Sequence, residues 1–162
     1  MKAELTGEIK EDCIWLPRLG FEFALKEQDL PFSYFGRGPA ENYCDMCHCA
    51  TVGQYQSCAR QEYVPYIRPQ EHGNHIDVRR LSIGALAFHG APTFEANVSM
   101  YSTEQLYAAE HTDELTAPFA THLRIDYKGS GIGSASCGTE LSECYRLQEK
   151  KIKFAFSFAP KK

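Results

Sequence analysis

Apolar residues recur at every second position near the end of the chain. Ile152, Phe154, Phe156 and Phe158 share one parity, and Lys151, Lys153, Ala155 and Ser157 share the other. A period of two belongs to a β-strand with one covered face. The same alternation selects Phe21, Phe23 and Leu25, then Phe94, Ala96, Val98 and Met100, then Leu123, Ile125 and Tyr127. These rows are the candidate core. Turn-forming residues punctuate the runs at Gly36 to Pro39, Pro69 to Asn74, Gly90 to Pro92 and Gly129 to Gly133, a spacing that fits a sandwich of antiparallel strands. Helical periodicity is scarce. Its best candidate runs from Thr103 to about His111, with Ser102 three residues before Gln105 in capping-box spacing and Leu106 on the apolar side. His111 would then stand at the helix C-terminus, where a cation is favourable. The pattern predicts an all-β, antiparallel protein and is compatible with any such sandwich or barrel.

Length and charge narrow the class. A chain of 162 residues supports a single core that buries roughly 70% of its unfolded surface. One domain over residues 14–160 is expected, preceded by a leading segment 1–13, either vector-derived or a truncated strand, and followed by a short tail at 161–162. The formal net charge is -4, with no basic stripe to follow a phosphate backbone, so nucleic acid is not an expected partner. No apolar run has the length of a membrane span, and the opening Met1-Lys2-Ala3-Glu4-Leu5 lacks the features of a signal peptide. Seven cysteines cannot all pair within one chain, which makes a reduced, cytoplasmic setting the simpler expectation.

Three phrases stand in fixed order between Tyr34 and Arg79. They are Phe35-Gly36-Arg37-Gly38-Pro39 with Glu41-Asn42-Tyr43; Tyr63-Val64-Pro65-Tyr66; and Pro69-Gln70-Glu71 with Gly73-Asn74 and Asp77-Val78-Arg79. Further phrases follow at Tyr101-Ser102, Glu114-Leu115, Gly131-Ile132-Gly133 and Ser136-Cys137-Gly138. Each is weak alone. As an ordered set they resemble the carboxy-terminal β-sandwich domain of the multidomain beta-galactosidases of glycoside hydrolase family 2. The resemblance spans nearly everything from Trp15 to Phe158, but relatives have a domain roughly twice as long. It implies part of a two-sheet supersandwich shared with galactose mutarotases, with sheet edges left bare or covered by self-association.

What the resemblance implies about chemistry is largely negative. Retaining glycoside hydrolysis needs two carboxyl groups about 5 Å apart, and in this family both are glutamates of a barrel that no segment here matches. No catalytic residue and no cofactor is therefore expected in this chain. Glu41 and Glu71, each in a proline-containing turn, are read as structural, holding turn amides or Arg37 and Arg79. Arg37, Glu41, Asn42, Tyr43, Glu71 and Arg79 form the structural family motif. The glycine-rich loop with Ser134, Ser136, Cys137 and Gly138 is the candidate for contact with sugar. Better-known relatives place a tryptophan there and this chain has Gly138, so any contact would run through backbone and Ser136. Expected partners are the remaining domains, or a large subunit, of the parent glycosidase. A galactoside would be bound only by the assembled enzyme.

Two other readings stay open. Exposed rings among the one tryptophan, nine tyrosines and ten phenylalanines could make a freestanding carbohydrate-binding module, although most should be core, including Trp15, Tyr63 and Tyr66. Cys44, Cys47, Cys49 and Cys58 crowd one segment and could bind zinc with His48, but structural zinc sites usually draw on two separated pairs. The Cys44-x-x-Cys47-His48 spacing also matches c-type haem attachment, for which no large apolar pocket is indicated. In relatives the residue at Met46 is an arginine, whereas Asp45 matches them.

Overall fold

The computed structural model describes every residue except Glu11, Ala117, residues 134–138 and Lys162. Eight antiparallel strands build it: β1 (Lys2–Glu8), β2 (Arg18–Leu25), β3 (Pro31–Gly38), β4 (Thr51–Cys58), β5 (Asn74–Ile83), β6 (Leu86–Ser99), β7 (Thr121–Gly129) and β8 (Lys151–Pro160). They form one hydrogen-bonded sheet in the order β1-β8-β6-β5-β3-β4, with β7 bonded to both β6 and β2.

The sheet forks along β6. Its first residues pair with β8, from Leu86↔Pro160 to Gly90↔Phe156. Its last pair with β7, from Glu95↔Asp126 to Ser99↔His122, while β5 follows the opposite edge. Between the two partnerships lies Pro92, which has no amide hydrogen to give to a ladder. The two branches fold face to face and make the sandwich. Phe21 of β2 meets Phe156 of β8 edge-on at 5.7 Å between ring centroids, Phe23 lies 6.0 Å from Phe88, and Tyr127 lies 5.9 Å from Phe154. Phe94, Ala96, Val98, Leu123, Ile125, Phe154 and Phe156 belong to the single buried cluster between the layers, so the alternating rows seen in the sequence are the core.

Two stretches that looked like strand breakers are strand. Gly36 and Gly38 continue the buried parity of Phe32 and Tyr34 in β3. A Cβ at Gly36 would stand 2.8 Å from Val78 Cγ2, so glycine there admits the neighbouring strand instead of stopping this one. Gly90 to Pro92 likewise lies inside β6, at the fork.

The leading segment contains β1, which runs antiparallel to β8 from Lys2↔Ser157 to Glu8↔Lys151. Among the described residues β1, β2 and β4 each have one bonded neighbour, so three edges are bare.

The helix α1 covers Thr103–Ala108 with the full capping box between Ser102 and Gln105. It stops before His111 because Ala109 turns to an extended conformation and buries. His111 instead precedes a 3-10 turn at Thr112–Glu114, with its Nδ1 2.8 Å from Glu114 Oε1. Among the described residues no helix is long and apolar enough to cross a membrane.

Candidate functional site

The end of β7 feeds the glycine-rich loop, and the structure pins that loop at its base. Ser130 donates its hydroxyl to Leu16 O at 2.6 Å and accepts Leu147 N–H at 2.9 Å. The Gly131 amide donates to Tyr145 O at 3.0 Å. Asp45 then takes the next two amides, Ile132 N–H on Oδ1 at 3.2 Å and Gly133 N–H on Oδ2 at 2.9 Å. A Cβ at Gly131 would lie 2.5 and 2.7 Å from the two Asp45 carboxylate oxygens, so only glycine lets the carboxylate reach both amides. The four loop residues Ser134, Ser136, Cys137 and Gly138 lie outside the described residues.

Beside this base is a cleft of about 570 Å³ lined by Cys44, Glu95, Lys128, Gly129 and Tyr145, among others. The most buried acid in its lining is Glu95, 9% exposed. Glu95 Oε2 accepts from Asn74 Nδ2 at 3.2 Å. Burial pushes Glu95 up to about 7, against the pull of the Gly129 amide and the Arg18 guanidinium. Asp126, its cross-strand partner, is raised by burial and held back by Arg18 and Arg124.

Two arginines bind this acidic group together. Arg18, at the start of β2, holds Asp126 Oδ2 at 2.8 Å with one nitrogen and Glu71 Oε1 with the other. Arg124 of β7 holds the same Glu71 oxygen at 2.9 Å and gives its second nitrogen to Thr103 Oγ1 at 2.9 Å. Burial works against the charge of Arg18, yet Glu71 and Asp126 outweigh it and keep the guanidinium above its ordinary value. Three carboxyls face two guanidiniums, and the proton that Glu95 favours removes the surplus negative charge.

The first and third sequence phrases meet on the neighbouring side. Glu41 accepts the Tyr66 hydroxyl at 2.6 Å and the Gly73 amide at 2.8 Å. Asn42, with no exposed surface, accepts Ile76 N–H at 2.9 Å and donates to Arg37 O and Ala40 O at 3.1 and 2.9 Å. Tyr43 is buried and raised by that burial, then by Glu71 and Glu41. Next to them, Glu62 Oε2 lies 2.9 Å from His75 Nε2, and His75 Nδ1 lies 3.1 Å from the Tyr34 hydroxyl. A carboxylate, an imidazole and a hydroxyl in line suggest a relay. However, all three residues are at most 7% exposed, and burial raises the Tyr34 phenol, so this row is a core tie.

Comparison with known proteins decides the family. The family described as "beta galactosidase small chain" matches residues 1–159. The chain belongs to the beta-galactosidase small-chain family. Its relatives include proteins named beta-galactosidase from Actinobacillus pleuropneumoniae, 39% identical over 96% of this chain and 16% of that protein. Another, from Vibrio cholerae serotype O1, is 41% identical over 82% of this chain and 13% of its own length, and one from Staphylococcus xylosus is 35% identical over 94% and 16%. The chain thus spans about a sixth or less of the length of these relatives.

Within this small-chain domain Glu41 holds the Gly73 turn amide as expected, whereas Glu71 and the two motif arginines have other partners. Glu71 bonds Arg18 and Arg124 rather than Arg37 or Arg79. Arg37 pairs with Asp77 at 2.6 Å and donates to Ala50 O at 3.1 Å. Arg79 is exposed, lying 5.6 Å over the Phe35 ring. Trp15 is only half-buried, outside any strand, and Tyr63 and Tyr66 line loops, Tyr63 meeting His72 edge-on at 5.2 Å.

The cysteine segment does not converge. Among the described residues no three Cys, His, Asp or Glu side chains gather as a metal site. Cys44 turns its thiol towards Tyr145 O at 3.6 Å, Cys49 is exposed, and Cys58 closes β4. Burial, then Glu95 and Asp45, push the Cys44 thiol up to about 11, which disfavours the thiolate that metal binding and nucleophilic attack need. The loop-holding residue that sequence reasoning missed is Asp45. Its match to relatives was visible, but nothing in the sequence pointed to a loop 87 residues away.

Proposed function

We propose that this chain is a non-catalytic, carboxy-terminal sandwich domain of a family 2 beta-galactosidase, part of a larger supersandwich. It would build one wall of that enzyme's active site with the 131–138 loop. The observation that carries the reading is the Asp45 clamp on the Ile132 and Gly133 amides, which presents the loop on a rigid base. Among the acids described above, Glu41, Glu62, Glu71 and Asp126 are engaged by buried or half-buried partners, unlike a nucleophile and acid flanking an open sugar site. The partner would be the rest of the parent enzyme, as a large subunit or further domains, and the substrate a β-galactoside bound by the assembly.

The test has two arms. The 162-residue chain alone should not hydrolyse a chromogenic galactoside. In the assembled enzyme, Asp45→Ala should lower kcat/KM by roughly tenfold to a hundredfold, the scale of a misplaced positioning group. Turnover by the lone chain that Glu41→Gln or Glu71→Gln abolishes, or an assembled D45A enzyme with unchanged kcat/KM, would contradict the reading.

A further inference from the structure

The three bare edges of the sandwich are not alike. Sheets guard such edges with charges, proline or bulges, because the unpaired amides and carbonyls there template another strand. β1 carries Lys2, Glu4 and Glu8. β2 carries Arg18 and Glu22, its register shifts between Leu19 and Gly20, and Glu22 accepts the Thr103 hydroxyl at the start of α1. β4 has none of these devices. Its eight residues, Thr51–Cys58, include no charge and no proline, and all of them pair with β3 in unbroken register. The strand is about 27 Å long at roughly 3.4 Å per residue, and its Val52, Gln54 and Gln56 side chains are exposed.

The residues of this edge define what fits it. Gln54 and Gln56 flank Tyr55 symmetrically, and Gly53 and Ser57 flank them in turn. Two copies laid antiparallel about Tyr55 set Gln54 against Gln56 twice, Gly53 against Ser57 twice and Val52 against Cys58 twice. Opposite residues then share a face. The exposed glutamines meet on the outer side, where their amides can exchange hydrogen bonds, while Gly53, Tyr55 and Ser57 meet on the inner side. A slip by one residue would turn glutamine inward, so the parity fixes the register. Tyr55 packs 5.4 Å from Tyr34, and its hydroxyl lies 2.9 Å from Thr51 Oγ1, which keeps the ring over its own leaf. The charges beside the edge are neutralised within each copy. Arg37, across from Val52, pairs with Asp77, and Arg60, just past β4, pairs with Asp29. Two such edges are complementary to each other about a two-fold axis and meet without repulsion, whereas an acidic or basic strand would find no free countercharge here.

We propose that a second copy of this chain docks on β4, joining the two sandwiches through an antiparallel β4–β4 pair centred on Tyr55. The inference goes beyond the active-site-wall reading and does not rest on it, since the pairing needs neither a parent enzyme nor a substrate. The experiment is sedimentation velocity of the 162-residue chain from about 1 to 100 µM, the affinity range of a small interface. A reversible monomer–dimer equilibrium is expected. Two charged chains test the register: Gln54→Lys with Gln56→Lys, and Gln54→Glu with Gln56→Glu. Each puts two like-charge pairs face to face and should raise the dimer Kd roughly fivefold or more. An equimolar mixture of the two should restore dimers, now of mixed composition. All four substitutions are on exposed side chains, and unchanged circular dichroism checks that the fold is kept. Thr6→Lys, on the β1 edge, should leave the dimer as it was. A chain that stays monomeric at 100 µM, a dimer indifferent to both charged pairs, a mixture that does not recover, or loss of the dimer in the T6K chain would each overturn the proposal.

Discussion

Glu95 offers the sharpest physical test, because one substitution should raise stability at one pH and leave it unchanged at another. The carboxyl lines the 570 Å³ cleft and is 9% exposed, with Asn74 as its hydrogen-bond partner and the Gly129 backbone, Arg18, Asp126 and Cys44 around it. Its pKa rises from 4.5 to about 7 on folding. The native state therefore binds more protons than the unfolded chain between those values, and unfolding free energy falls as pH rises across that window. The contribution is whole below about pH 4.5 and gone above about pH 7. At about 1.4 kcal/mol per pH unit the swing is roughly 3 kcal/mol. Glutamine keeps the shape and the neutral state at every pH. Glu95→Gln should thus match the parent within about 1 kcal/mol at pH 5 and exceed it by up to roughly 3 kcal/mol at pH 8. Denaturant unfolding followed by the fluorescence of Trp15 gives both values, and the variant-minus-parent difference removes the other carboxyls, which titrate in both proteins. A flat difference curve, or a variant less stable at pH 8, would refute the argument that the protein harbours a proton there.

Two further outcomes follow from the same geometry. Arg18→Ala leaves Asp126 and Glu71 without their shared cation and should cost about 3–5 kcal/mol at neutral pH, read as a lower denaturation midpoint. Unchanged stability would mean that Arg124 alone holds the acids. Phe156 touches the rings of Phe21, Phe88, Phe94, Phe154 and Phe158, so Phe156→Ala should cost about 3–5 kcal/mol. A loss under about 1 kcal/mol would show that the layers do not close on this ring.

The strands legible in the sequence are those with one covered face. In β8 the alternation of phenylalanine with lysine, alanine and serine states which side is wet. The final part of β6 is covered on both sides, where Glu95, Asn97 and Ser99 alternate with Phe94, Ala96 and Val98. Apolar parity exposes only half of such a strand. The polar half is explained by partners far along the chain: Asn74 for Glu95, and the His72 carbonyl for Asn97. In β1 only Ala3 and Leu5 pack against the core, too few to show a period, so the sequence leaves a truncated strand as one of two readings of the leading segment. In the candidate site the phrases were legible as words but their grammar was not. That Glu41 holds Gly73, that Glu71 holds Arg18, and that Asp45 holds the 131–133 amides are long-range pairings, which neither spacing nor residue type encodes.

The forked strand has a consequence for how this protein comes apart. Because β6 is hydrogen-bonded to β5 and also to β8 and β7 in turn, peeling away either leaf of the sandwich must strip bonds from the same backbone that supports the other. Neither leaf has a seam along which to open alone, so loosening one ought to release both together. The molecule is joined like a folded sheet of paper at its crease, and its endurance is set there rather than at its three bare margins.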